Sequence, residues 1–218
     1  VTETETSVSS STTQDSQTDS VEPESSVREL TREECDEFEE YFARFDTYGF
    51  LLSCYSEITD ADLFQVFYNG AGDMYYPTEE EIDEYFAYCG YSEMEVEVLG
   101  VSREYATKLV REKTGHDFYD FKSMDTYYSG ASDAFLWTAG DVNYAKHDVI
   151  SGNCIDDIYV LRVHESSDFD IYYDSGFYSY DKEVALKKVG DSYQFLSNQY
   201  IIGENIMEDY CYNLVVDK

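Results

Sequence analysis

The chain has little positive charge, almost no proline and a single tryptophan. Of 218 residues only 14 are Lys or Arg, against 47 Asp or Glu, for a formal net charge of −33. Nucleic-acid binding needs clustered cations that displace counterions from phosphates, and no such cluster occurs. The same deficit argues against docking on an anionic membrane surface. No apolar run approaches the ~18 residues of a membrane-spanning helix. The five cysteines, Cys35, Cys54, Cys89, Cys154 and Cys211, form no CxxC pair, which excludes the usual zinc and thioredoxin spacings. An odd number cannot be fully paired within one chain, so buried free thiols are expected. The three histidines, His116, His147 and His164, form no HxxxH or HxH. There is no P-loop, no GxGxxG after a strand and no GxSxG. No cofactor and no metal is therefore assigned from motifs.

What is present is aromatic. There are 23 tyrosines and 13 phenylalanines, and 43% of the chain is hydrophobic, enough for a core. Tyrosines cluster at Tyr75-Tyr76, Tyr127-Tyr128, Tyr172-Tyr173 and Tyr178/Tyr180. Tyrosine offers a flat face and a polar tip at low entropic cost, which suits sugar or peptide surfaces. It is also favoured on half-exposed sheets for structural reasons alone.

Residues 1–28 read as a tether. Twelve of the first 20 residues are Ser or Thr, a composition that buries too little to offset its ordering entropy. The chain begins with Val1, which reads as a processed N-terminus. Residues 29–218 are expected to form one α+β domain, monomeric, with N-terminal helices on one face of a C-terminal antiparallel sheet.

Thr31 and Glu34 form a capping box, and Cys35, Phe38, Phe42 and Phe45 recur at helical spacing. That helix is expected to end before Gly49. The densest apolar stretch, Tyr48 to Gly72, then begins, with Phe50-Leu51-Leu52 read as a buried connection or short extended piece. Asp60 is expected to cap a short helix that closes at Tyr68-Asn69-Gly70. Thr78 and Glu81 start another helix that Gly90 stops, and a further helix spans Ser102 to Thr114 before Gly115. No Lys or Arg occurs between Arg44 and Arg103, so the basic helix carrying Arg103, Lys108, Arg111 and Lys113 is expected to pack beside the acidic one. From residue 134 the period becomes alternating. Strands are expected at Ala134–Thr138, Lys146–Ser151, Ile158–His164, Glu183–Val189 and Ser192–Ile201, with Gly190-Asp191 as a type II′ hairpin turn.

Candidate binding residues lie where polar groups sit beside glycine, since glycine permits close backbone approach to a ligand. They are Tyr68 and Asn69 in one segment, and Trp137, Asp141, Asn143, Tyr144 and His147 in another. A Cys-His-Asp hydrolase built from Cys54 or Cys154, His147 and Asp141 is the enzymatic alternative. GDVN at Gly140–Asn143 fails the calcium-loop pattern beyond its third position and reads as a polar turn.

At YGFLLSCY, FYNGAG and GDVNY the chain resembles uncharacterised secreted lipoproteins of Gram-positive anaerobes. That resemblance implies an extracellular, membrane-tethered α+β domain, anchored through an N-terminal lipid-bearing segment that has been removed, and it carries over no catalytic residues. The expected role is a non-enzymatic binding module for glycan or peptide, with a secreted hydrolase as the alternative.

Overall fold

Each N-terminal helix begins where a side chain can take up the unpartnered amide donors of its first turn. The computed structural model describes residues 27–70, 72–91, 97–122, 124–140, 145–167 and 178–201. Helix α1 spans Arg32–Phe42 behind the reciprocal Thr31/Glu34 capping box and buries Cys35, Phe38, Tyr41 and Phe42. Helix α2 is Phe45–Leu52, and α3 is Leu63–Tyr68. Helix α4 is Glu79–Cys89, started by the Thr78/Glu81 box. Helix α5 is Arg103–Thr114, capped by Ser102. Gly90 and Gly115 end α4 and α5 in the left-handed region, where a Cβ would be strained.

Three local expectations are corrected. Gly49 and Phe50-Leu51-Leu52 are not a connection; they lie inside α2. The glycine serves helix packing, since a Cβ on Gly49 would stand 2.0 Å from the Val66 carbonyl oxygen of α3. The cap of α3 is Asp62, which accepts from the Gln65 N–H at 3.2 Å, while Asp60 ends a preceding 3-10 turn. The basic helix α5 rests on β-strands rather than pairing along α4. Its cations find separate partners: Arg103 with Asp133, Lys108 with Glu112, Arg111 with Asp117 and buried Lys113 with Asp46.

The strands are β1 (Val27–Glu29), β2 (Val98–Ser102), β3 (Tyr127–Ser129), β4 (Ala134–Thr138), β5 (Lys146–Ile155), β6 (Ile158–Ser167), β7 (Tyr178–Val189) and β8 (Ser192–Tyr200). They make two antiparallel sheets, one ordered β1-β5-β6-β7-β8 and one ordered β2-β4-β3. The fold is α+β, with helices mostly N-terminal and the large sheet C-terminal. The expected tether boundary at residue 28 falls inside β1, where Val27 and Arg28 pair with Ile155 and Cys154. Strands β2 and β3 had no clear alternation to reveal them. The hairpin turn at Gly190-Asp191 is present, and Gly190 has φ +60 as a type II′ turn requires.

The core lies between α1, α2 and the inner face of the large sheet. Phe38, Phe42 and Phe50 meet Leu161, Val163, Val184, Leu186 and Phe195, and the Phe50 and Phe195 rings stack at 5.1 Å. A smaller cluster of Tyr85, Val98, Ala134 and Leu136 joins α4 to the three-stranded sheet. The large sheet therefore has one packed face. Its other face carries the Arg162–Asp181–His164 ion-pair group, with Arg162 half exposed.

Candidate functional site

Strand β1 is only three residues long, and this leaves the first half of β5 without a strand neighbour on its outer side. Beyond Leu30, whose N–H donates to the Gly152 carbonyl at 2.9 Å, the described residues close that edge with side chains. Glu39 of α1 accepts from the Val149 N–H at 2.9 Å, and Arg32 donates to the Val149 carbonyl at 2.9 Å. Further along, the Tyr48 hydroxyl of α2 accepts from the Ala145 N–H and donates to the Ala145 carbonyl at 3.1 Å. An edge left bare would be a template for unwanted pairing.

Between these two clamps lies a cleft of about 690 Å³, within the range of ligand sites. Its walls are Glu39 of α1 and Ala43 just after it, Phe45 and Tyr48 of α2, Tyr68 to Gly70 at the end of α3, Met74, Ala145, and Lys146 to Asp148 at the start of β5. Phe45 stands 79% exposed at its rim. Tyr68 and Asn69, from one of the glycine-flanked segments singled out by sequence, line this cleft opposite His147, which lies three residues beyond the other segment. Contact between the two segments runs through Gly140, where a Cβ would lie 2.4 Å from the Tyr68 hydroxyl. Asp141, Asn143 and Tyr144 lie outside the described residues. Trp137 does not line the cleft; it is buried in β4 with its indole edge-on to Phe64 at 6.2 Å.

Asn69 is buried, and its side-chain amide donates to the Gln65 carbonyl at 2.8 Å. It closes α3 as a C-terminal cap, so its first role is in the shape of the wall. Asn69→Ala is expected to cost about 1 kcal/mol, read as a lowered chemical-denaturation midpoint with an unchanged m-value.

Behind the cleft, the inner face of the sheet carries a polar row. The His147 Nε2 lies 3.1 Å from a Glu165 carboxylate oxygen, the two residues being directly opposite on β5 and β6. The Lys182 ammonium reaches the same oxygen. It also donates to the Leu51 carbonyl at 2.7 Å and sits 4.7 Å from the centre of the Tyr200 ring. Lys182 is completely buried. Burial acts to raise the Glu165 carboxyl, but the His147 hydrogen bond and the Lys182 charge outweigh it and hold it below its ordinary value. Burial pushes the Tyr200 phenol well up. Beside the row, the Asn198 amide donates to the carbonyls of Leu51 and Ser53 at 2.9 and 2.7 Å. The C-terminal carbonyls of α2 are thus received by a cation and an amide, as the helix dipole favours.

Glu165 and Lys182 were missed by the sequence reading. The available signal was parity. Lys182 alternates in phase with Val184 and Leu186, and Glu165 with Leu161 and Val163, so both continue an inward-facing series. The expected strands stopped one residue short of each.

The cysteine hydrolase does not assemble among the described residues. Cys154 is seven residues from His147 along β5, on the order of 20 Å, and its thiol faces the Asp156 carbonyl at 3.4 Å. Cys54 meets Tyr200. Neither cysteine lines the cleft. Ser166 does line it, but one residue after Glu165 it points to the sheet face opposite the His147 imidazole. Among the described residues no group of three or more His, Cys, Asp or Glu is placed to hold a metal ion, and no helix is long and apolar enough to cross a membrane. The arrangement is suited to holding a ligand between aromatic walls. Comparison with family models, curated proteins and solved structures gave no match to this chain.

Proposed function

We propose that this chain is a recognition module, carried outside the cell on an N-terminal tether, whose cleft binds a segment of peptide or glycan. The observation that supports it is the cleft itself. Phe45, Tyr48, Tyr68 and Met74 give it aromatic and apolar walls, and the side chains of Glu39, Tyr48, Asn69 and His147 are engaged in holding those walls in place. Such a site offers surface and shape rather than an activated nucleophile. The Ser/Thr-rich first 20 residues and the resemblance to secreted lipoproteins support the extracellular placement.

The test is binding of the labelled full chain to paired peptide and glycan arrays. Two variants accompany it. Phe45→Ala removes an exposed ring, with a stability change within about 0.5 kcal/mol. Ala43→Trp fills the cleft from another exposed position. Retention by the parent chain, lost in both variants at unchanged thermal midpoint, is the expected result. Retention on neither array, or retention that both variants preserve, would overturn the reading.

A further inference from the structure

The outer edge of β5 has one residue whose backbone is left open in the cleft. In an antiparallel ladder, residues that bond to the neighbouring strand alternate with residues whose N–H and C=O point away from it. Val149 and Ala145 point away from β6, because their N–H and C=O groups are taken on the outer side by Glu39 with Arg32 and by Tyr48. His147 lies midway between them, in the same unshifted register against β6. Its N–H and C=O therefore also point outward, into the cleft, and no group among the described residues bonds them. The exposure figures agree: His147 as a whole is 7% exposed while its side chain is 3% exposed, so what it shows to the cleft is weighted toward backbone. The imidazole, turned inward to Glu165, fixes the strand from behind.

We infer that the cleft takes an extended, cationic peptide segment by strand addition, its backbone exchanging both hydrogen bonds with His147. This inference rests on the recognition reading above and narrows its ligand to polypeptide. A strand neighbour in register with His147 places alternate side chains toward the helices, where Phe45 and Met74 provide an apolar seat. The two clamps limit the docked ladder to one pair of bonds, so side-chain contacts carry the remaining affinity. The sign of the ligand follows from the surface around the cleft, since in the lining itself Glu39 pairs with Arg32 and Lys146 with Asp148. Helix α1 carries Glu33, Glu34, Asp36, Glu37, Glu39 and Glu40 against one cation, Arg32, and the whole chain carries −33. Such a surface attracts positive segments and repels acidic ones.

The experiment uses the full chain, isotopically labelled, and a random library of end-capped decapeptides selected on it at low ionic strength. The most enriched peptide is then resynthesised with each backbone nitrogen methylated in turn. In the free chain the His147 amide is expected to exchange quickly with solvent, while Lys146 and Asp148, bonded to β6, are protected. Saturating peptide is expected to protect His147. Methylating the nitrogen that faces it is expected to weaken binding about tenfold, and methylating its sequence neighbours much less. Enriched sequences are expected to be basic with alternating apolar residues. A His147 amide already protected in the free chain, through a second copy or any other partner, would overturn the inference. So would peptide binding indifferent to methylation, which leaves the cleft reading intact. Glycan retention without peptide retention also defeats strand addition alone, whereas retention of neither class defeats both readings.

Discussion

Replacing Lys182 with methionine is expected to lower stability by about 3–5 kcal/mol, although methionine matches its length and the side chain is buried. The ammonium is completely buried and joins three things at once: the Glu165 carboxylate, the Leu51 carbonyl at the end of α2, and the Tyr200 ring. Removing it strands a mostly buried carboxylate with His147 as its remaining partner. The companion change Glu165→Gln distinguishes this from simple loss of packing. If the pair acts as a unit, the double variant loses less than the sum of the singles, with a coupling of about 1–3 kcal/mol. Additive losses would show that charge pairing contributes little. The pH dependence has a definite sign. Glu165 is held below its ordinary value of 4.5 in the folded chain, so its contribution is fully present above that value and is lost as pH falls through the folded one. In Lys182→Met that depression shrinks, and the midpoint of acid unfolding is expected to move to higher pH. Urea titrations across the acid range would record both effects.

Gly49→Ala is expected to be nearly as damaging, at about 3 kcal/mol, the upper end for a single added carbon in a packed site. The new Cβ meets backbone, not a movable side chain: the Val66 oxygen at 2.0 Å and its carbonyl carbon at 2.8 Å. Helix α2 must then back away from α3, and both helices position the cleft, through Phe45 and Tyr48 on one and Tyr68 to Gly70 on the other. Gly130→Ala is the matched control. A Cβ there has nothing within 4 Å and no positive φ to oppose it, so stability should stay within about 0.5 kcal/mol of the parent. Equal effects at the two positions would mean that chain entropy, not the close approach of α2 to α3, governs Gly49.

The error about Gly49 and the cost of mutating it have one cause. In a single sequence, a glycine inside YGFLLSC looks like a helix stop because its backbone entropy disfavours helix. What requires glycine there is an atom seventeen positions later, on another element. Trp137 fails as a site residue for a similar reason. Its proximity in sequence to the GDVNY segment suggested a shared surface, but strand alternation sends it to the core beside Phe64. Tyr68 and Asn69 were singled out for glycine-flanked polarity and His147 for its place just after GDVNY, and the three line one cleft. The closing of α3 at Asn69 was expected from its residue type beside glycine, but nothing in the neighbourhood of His147 indicated that its imidazole would turn away from the cleft.

Apart from the Asp62 cap of α3, interactions that close within about four residues were legible in advance. The Thr31/Glu34 and Thr78/Glu81 boxes, the left-handed Gly90 and Gly115, and the Gly190 turn are each set by immediate neighbours, so residue type at fixed spacing suffices to find them. Alternation likewise placed β5 to β8 of the large sheet, though not β1, and with them the α+β class. Which strands pair, and in which register, depends on contacts between residues far apart in the chain, and no one-dimensional pattern encodes that. The row His147–Glu165–Lys182–Tyr200 exists only because four strands align. The open backbone of His147 exists only because β1 is too short to cover it while Tyr48, Glu39 and Arg32 arrive from two helices on either side.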